Sequence, residues 1–201
     1  MIAILACLLS GPGDLPIGLG SSAENGGTET FLRLRAGVWA AGDFAFEAIR
    51  ADSTQVKLDD EVLPAAGLDL GFIFAEKFLL MFSGDYAATD HVSVPSAGAA
   101  IGYLERRRPD SARGVPDEVA VYAGGFWSSF EVDTEGFGDF EDAIGFRAGL
   151  SLMWKPSSGV AVGAVGEYRL VEYDYEDEVI SGDRHAGGSG VWAGATLDLR
   201  F

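Results

Sequence analysis

Two acidic segments hold the residues of this sequence that are best suited to chemistry. Residues 131–142 and 172–183 each carry six carboxylates and no basic side chain. Carboxylate oxygens are the ligands that Ca²⁺ and Mg²⁺ prefer in proteins, although neither segment has the spacing of an EF-hand loop. The spacing favours a solvated, self-repelling acidic surface without a metal site, and divalent-cation contact is the alternative prediction for these residues. The candidate ligands are Glu131, Asp133, Glu135, Asp139, Glu141, Asp142, Glu172, Asp174 and Glu176.

His91, Ser93 and Glu105 form a second candidate set, because a base, a hydroxyl and an orienting carboxylate together perform nucleophilic catalysis. The three groups must then lie within hydrogen-bond reach of one another. The predicted strand between them places Glu105 more than about 25 Å from the other two, at roughly 3.3 Å per residue. We interpret the spacing as incidental, and we expect neither a catalytic site nor an enzyme.

Composition argues against several further classes of site. The chain has 31 acidic and 14 basic residues and a formal charge of −17, which disfavours nucleic-acid binding because phosphates require clustered Lys and Arg. Cys7 is the single cysteine, and His91 and His185 are the only histidines. A disulfide framework and a metal centre built from cysteines or several histidines are therefore not expected. We expect no cofactor.

The elements that must position these residues are strands, because apolar and small or polar residues alternate with period 2 along most of the chain. In residues 190–201 the odd-numbered positions are apolar, whereas Asp198 and Arg200 occupy the other phase. The first strand either bends near Gly42 or is split there by a tight turn into two. No apolar stretch is long enough for a membrane-spanning helix. The predicted strands are 30–50, 62–75, 78–90, 97–105, 118–133, 142–155, 159–175 and 186–201.

The polar phase of these strands is typical of a narrow barrel interior. It consists mostly of Gly, Ala and Ser, with isolated charges of both signs. An eight-stranded interior has room only for side chains, and charges buried there are tolerable when they are paired. Aromatic residues lie near strand ends in the apolar phase, as at a membrane interface; they are Tyr86, Trp154, Tyr168 and Phe201. The charges predicted to face the interior are Arg33, Arg35, Glu47, Asp69, Asp85, Arg147, Glu167, Arg169, Asp198 and Arg200.

Residues 191–201 resemble the C-terminal insertion signal of outer-membrane proteins, with alternating apolar residues and a terminal Phe201. The whole of 30–201 resembles the small OmpA/OmpX/OmpW-like barrels in strand number, in the asymmetry of short turns and long loops, and in its interior charges. The resemblance implies an all-β fold, a single closed antiparallel up-and-down transmembrane β-barrel of about eight strands in the outer membrane. It also implies that the insertion machinery recognises the last strand. A soluble β-barrel or sandwich is the alternative.

The N-terminal residues predict a signal peptide over 1–23. Residues 2–9 are apolar, and the small residues Ser21 and Ala23 resemble a signal-peptidase site, although no Lys or Arg precedes the apolar run. We expect 24–29 to be a short N-terminal segment and 30–201 to be the barrel.

In this orientation the last strand ends at the periplasmic face, so four long connections lie outside the cell. These connections, 51–61, 88–96, 131–142 and 172–183, carry −16 of the formal charge of −17, whereas 106–117 carries +2. We expect a structural or surface-interaction role, in which the acidic loops bind divalent cations, lipopolysaccharide or a partner strand from another protein. The first alternative is a narrow channel or carrier for small solutes or apolar molecules.

A lipid-modifying barrel enzyme is the less favoured alternative. The spacing of His91, Ser93 and Glu105 is similar to that in lipid A deacylase barrels. The Asn residues expected around that family's motif are missing, because Asn25 is the only Asn of the chain.

Overall fold

The computed structural model of the protein describes eight segments of the chain. They are residues 27–41, 46–50, 55–58, 62–107, 114–133, 139–157, 159–176 and 179–201. The predicted signal peptide and the candidate ligand Glu135 lie outside the described residues. Within those segments, no helix is long and apolar enough to cross a membrane.

The described residues form fourteen strands, which are numbered here in chain order. The eight long ones are β1 (Glu29–Ala41), β4 (Val62–Phe74), β5 (Phe78–Ala88), β6 (Val92–Arg106), β7 (Glu118–Ser128), β9 (Ala143–Ser157), β10 (Val160–Leu170) and β14 (Gly190–Arg200). The six short ones are β2 (Phe46–Arg50), β3 (Gln55–Leu58), β8 (Glu131–Val132), β11 (Glu172–Asp174), β12 (Val179–Gly182) and β13 (His185–Gly187).

The eight long strands close into a barrel. Each pairs antiparallel with two neighbours in the order β5, β4, β1, β14, β10, β9, β7, β6, and the pairing of β6 with β5 completes the ring. A closed ring leaves none of these eight strands with an unpaired edge, so their backbone groups are satisfied within the barrel wall. The predicted all-β, closed antiparallel barrel of eight strands is confirmed.

Period-2 alternation places one row of each long strand outside the barrel and the other row inside. The outward-facing row, which we call the outer wall, exposes large apolar side chains such as Leu34, Ile101 and Val121. The inward-facing row buries charged residues such as Arg33 and Asp198. This is the reverse of a soluble barrel, in which apolar side chains fill the interior. The outer wall therefore has the composition of a surface in contact with lipid.

The connections differ between the two ends of the barrel. The turn end holds the start of β1, the end of β14 and the points where β4 is followed by β5, β6 by β7 and β9 by β10. The loop end holds the other four connections and all six short strands. The predicted grouping of turns and loops is therefore correct.

Two predicted strands differ from the structure in where they begin or end on the barrel. The predicted strand 30–50 is wrong, because β2 pairs with β3 and β12 at the loop end and takes no part in the barrel. The predicted strand 97–105 begins earlier, at Val92. Pro95 with its serine neighbours is typical of a loop, yet Pro95 lies opposite Tyr86 in the β5–β6 pairing.

Three further predicted strands leave the barrel sooner than their alternation indicates. The strand predicted over 118–133 leaves it at Ser128 and continues as β8, and that over 159–175 leaves it at Leu170 and continues as β11. The last predicted strand, 186–201, is divided between β13 and β14. Alternation persists in β11 and β13 because each of them also buries one face, so the pattern alone did not mark the rim of the barrel.

Candidate functional site

A network of buried charges fills the middle of the barrel, with Arg35 at its centre. The guanidinium of Arg35 donates to Glu167 at 2.7 Å and to Asp85, and it lies 3.1 Å from Asp69. The carboxylates come from three different strands, β10, β5 and β4, and all three belong to inward-facing rows. Because the guanidinium is planar and carries several donors, it can contact all of them at once.

Further cations complete this network. Arg169 donates to Asp85 at 2.9 Å and to Glu167 at 2.8 Å, and Arg147 lies 3.7 Å from Glu167. The hydroxyl of Tyr122 donates to Glu167 at 2.9 Å. Arg33 forms a bidentate pair with Asp198, with nitrogen–oxygen distances of 2.7 and 3.0 Å. We call these eight charged residues the central network: Arg33, Arg35, Arg147, Arg169, Asp69, Asp85, Glu167 and Asp198.

The central network contains equal numbers of cations and carboxylates, so it has no formal net charge. Buried charge is tolerated when each group is paired and hydrogen-bonded, whereas an unpaired buried charge is strongly destabilising. Large rings pack against the network: the guanidinium of Arg169 lies 4.9 Å from the ring centre of Trp39, and that of Arg35 lies 4.9 Å from the ring centre of Trp192. The interior at this height is therefore packed with its own side chains.

A second group of charges lies at the turn end. Glu118 is buried and accepts hydrogen bonds from Arg106 at 2.9 Å and from Arg200. Lys155 lies 2.6 Å from the same carboxylate, and Glu29 accepts from Arg200 at 2.7 Å. These residues join the start of β1 to four other barrel strands, and they narrow the interior below the central network.

Aromatic residues from three connections close the loop end. We call them the aromatic cap: Phe46, Phe130, Phe140, Tyr173 and Tyr175, all of which are buried. Phe140 lies at the centre of the cap, with ring centroids 5.2 Å from Phe46, 4.8 Å from Phe130 and 5.1 Å from Tyr175. The cap is continuous with the rings inside the barrel, because both belong to one cluster of buried residues.

The cap is fastened to the barrel through Tyr173. Its hydroxyl lies 2.8 Å from the hydroxyl of Ser128, the last residue of β7, and its ring stacks on Phe130 at 5.1 Å. Burial raises the pKa of the Tyr173 hydroxyl above its ordinary value, so this group remains protonated and neutral. Backbone hydrogen bonds from Glu141 to Asp174 and from Glu176 to Asp139 tie two of the connections together.

The candidate cation ligands lie on the outside of this loop-end structure. All of those that the structure describes are exposed: Glu131, Asp133, Asp139, Glu141, Asp142, Glu172, Asp174 and Glu176. In the described part of the chain, no group of three or more His, Cys, Asp or Glu could hold a metal ion. Single contacts occur instead, as where Glu131 accepts a hydrogen bond from Ser93 at 3.1 Å. Cation binding at these residues stays a prediction.

The three residues considered for nucleophilic catalysis are not brought together. Ser93 and Glu105 lie on the same strand, β6, with Ser93 at the loop end and Glu105 near the turn end. Twelve residue steps along one strand separate them, about 40 Å at roughly 3.3 Å per residue. His91 precedes the strand on the loop side, where its backbone N–H donates to the hydroxyl of Thr89 at 3.4 Å.

The predicted interior charges lie inside the barrel, with one exception. Glu47 is exposed on β2, outside the barrel, because the predicted first strand ends at Ala41 and the chain continues in the loop-end sheet. Sequence reasoning missed Tyr122 and Glu118, although the same alternation places both in the inward-facing row of β7. The alternation along β7 could have identified both residues, because it shows which of its two rows faces the interior.

The comparisons with known proteins support the fold. No protein-family model and no curated protein sequence matches the chain. The crystal structure of the outer membrane protein OprG from Pseudomonas aeruginosa is similar, with a TM-score of 0.61 and 9% sequence identity over 88% of this chain and 97% of that chain. Neisserial surface protein A gives a TM-score of 0.49 and 15% identity over 87% of this chain and 99% of that one. The likeness to OprG confirms the predicted architecture, a small barrel of the outer-membrane type.

Proposed function

We propose that the protein is a non-enzymatic outer-membrane barrel with a closed interior, and that it acts at its acidic loop end in a structural or surface-interaction role. The observation that carries the proposal is the combination of an apolar outer wall with an interior filled by the central network and covered by the aromatic cap. A wall of this composition requires lipid, and a filled interior leaves the loop end as the surface available to partners.

Cell fractionation tests the location. We expect the protein in the outer-membrane fraction, with faster gel mobility before boiling than after it, because a closed barrel keeps its backbone paired in cold detergent. The proposal is contradicted if the mature protein stays in solution without detergent. We also propose that the insertion machinery recognises β14, since its outward row from Val191 to Leu199 is apolar throughout.

Planar-bilayer recording distinguishes the closed barrel from the channel alternative. We expect no reproducible unitary current steps from the folded protein, because paired charges and rings occupy the interior at two heights and the cap covers one end. Regular steps that persist across preparations would favour a channel and remove the basis for assigning function to the loop end alone.

At the loop end, we propose that divalent cations join the exposed carboxylates to the phosphates of lipopolysaccharide. The support is electrostatic: the loop-end connections are strongly acidic, so direct binding to an anionic lipid is unfavourable unless cations lie between them. Binding of purified lipopolysaccharide to the barrel in nanodiscs tests this. We expect binding in Mg²⁺ that is lost with a chelator and weakened in a Glu141→Gln/Asp142→Asn/Glu176→Gln variant.

The matched control for that experiment is Glu76→Gln/Glu105→Gln/Asp117→Asn, which removes three negative charges from the turn end of the barrel. It should bind lipopolysaccharide like the wild type. If the chelator and the loop-end variant leave binding unchanged, the cation-bridged mode is wrong and the acidic rim only repels its surroundings.

A further inference from the structure

A groove crosses the outer wall near the turn end, on the face formed by β5, β6 and β7. Its volume is about 730 Å³, within the roughly 300–1,000 Å³ of small-molecule sites. The sides are built by apolar residues of the outward-facing rows of β5, β6 and β7, and Gly102, which lies in the inward-facing row of β6, contributes only backbone between Ile101 and Tyr103. Those sides include Phe78, Leu80, Ile101, Tyr103, Val121 and Ala123.

The groove opens toward lipid along its apolar length. Phe78 and Ile101 are 60% and 70% exposed, so they contact whatever surrounds the barrel. A groove of this lining in a membrane-facing wall accommodates a hydrocarbon chain, and no polar ligand would be stabilised there. The apolar part of the site alone does not distinguish one lipid from another.

Two side chains of opposite charge contact Tyr103 on one side of the groove. The ammonium of Lys77 lies 6.0 Å from the centre of the Tyr103 ring, in cation–π geometry. The Tyr103 hydroxyl donates to the carboxylate of Glu105 at 3.4 Å. Glu76, the neighbour of Lys77, adds a further negative charge at the same turn. An exposed tyrosine at a strand end is typical of the membrane–water interface, where lipid headgroups lie.

We propose that this groove binds one phospholipid with a zwitterionic amine headgroup, phosphatidylethanolamine. One acyl chain lies in the groove, the phosphate contacts Lys77, and the primary ammonium of the headgroup contacts Glu105. The charge pattern favours this headgroup, because an anionic lipid would meet the carboxylates of Glu76 and Glu105 as well as Lys77. A choline headgroup has no N–H to donate to Glu105. This inference rests on the proposed membrane location.

Native mass spectrometry of the folded barrel in micelles tests the proposal. The micelles contain equal amounts of phosphatidylethanolamine, phosphatidylglycerol and phosphatidylcholine with the same acyl chains. We expect the wild type to retain one lipid and to prefer phosphatidylethanolamine over phosphatidylcholine by about three-fold, the size of one exposed ion pair. Glu105→Gln should abolish that preference. Lys77→Gln should lower retention of all three lipids by about three-fold.

Filling the groove provides the decisive variant. Ala123→Phe places a ring in the space for the acyl chain and should abolish retention, whereas Ala193→Phe, on the outer wall of β14, should retain lipid like the wild type. Arg107→Gln, which removes another exposed cation at the turn end, is the control for Lys77→Gln. Equal retention by the wild type and Ala123→Phe, or retention without headgroup preference, overturns the proposal.

A dimer that is lost in Ala123→Phe would also overturn it, because a second copy would then occupy the groove. Failure of this inference is distinguishable from failure of the proposed function. A heat-modifiable barrel in the outer-membrane fraction that retains no selected lipid contradicts only the lipid site, whereas a protein that stays in solution contradicts the location itself.

Discussion

At the scale of single residues, the interior of this barrel shows how charge can be buried in a narrow space. Arg33 of β1 lies directly opposite Asp198 of β14, so the register of two adjacent strands sets up their bidentate contact. Such a pair adds little net stability, because desolvation of both groups offsets their attraction. The pair affects stability strongly only when one partner is removed, because the other charge then remains buried alone.

A double-mutant cycle measures this asymmetry. We expect Arg33→Leu to destabilise the barrel by about 3–5 kcal/mol, because Asp198 is left as a buried charge without its main partner. The double variant Arg33→Leu/Asp198→Leu should recover most of that loss. Urea unfolding in lipid vesicles gives the free energies. If the single variant is as stable as the double variant, the pair does not balance buried charge as described.

The sequence allowed much of this interior to be predicted, and the errors have physical causes. Asp69, Asp85 and Glu167 were assigned to the interior because polar residues there must alternate with apolar neighbours on a lipid-facing wall. The partners of each charge were not predictable, because pairing depends on which strands meet around the ring. Glu47 was misassigned for a related reason: its strand alternates in the same way but pairs in the loop-end sheet.

At the scale of elements, the turn between β4 and β5 carries backbone strain. The N–H of Lys77 donates to the carbonyl of Phe74 at 3.1 Å, which closes a four-residue turn. Its central residues, Ala75 and Glu76, have φ angles of 48° and 61°. Positive φ at both central positions is typical of a type I′ turn, which favours Asn followed by Gly because side chains with a Cβ are disfavoured there.

Replacing these two residues should therefore stabilise the hairpin. We expect Ala75→Asn/Glu76→Gly to raise the free energy of unfolding by about 1 kcal/mol, since most of the left-handed strain is removed. The same urea titration measures it. Glu76→Ala is the control, because it removes the charge and keeps the Cβ, and it should give no such gain. A stabilisation of equal size in the control would attribute the effect to charge.

The aromatic cap is a second element-scale feature, and it was only partly visible in the sequence. The alternation of Glu172 and Asp174 with Tyr173 and Tyr175 predicts one polar and one aromatic face, and the structure has both. The rings that Tyr173 and Tyr175 contact come from distant connections, and Phe140 in particular lies in an acidic segment. No local pattern identifies such contacts, because they depend on how the loops meet above the barrel.

Removing Phe140 should loosen the cap without opening the barrel. We expect Phe140→Ala to increase hydrogen exchange in β2, β11 and β13, because Phe140 contacts three other rings of the cap. Exchange in β1 and β14 should not change. Ile144→Ala, which removes a side chain that is exposed on the outer wall, is the control and should leave both regions as they are. Faster exchange throughout the barrel would show that the cap and barrel form one cooperative unit.

At the scale of the whole molecule, the barrel is inverted relative to a soluble one, with apolar side chains outside and charged side chains inside. The cost in folding free energy of a charge on the outer wall should therefore depend on its depth in a bilayer. Ala164 lies in a row with Ala195 and Ala36 midway along the strands, whereas Val160 begins β10 at the turn end. We expect Ala164→Arg to destabilise folding into vesicles by about 2–4 kcal/mol and Val160→Arg by about 0–1 kcal/mol. A soluble barrel would tolerate both substitutions equally, because water would surround both positions. Equal effects at the two positions would therefore contradict a lipid-facing wall, and a gradient between them would support it independently of any likeness in fold.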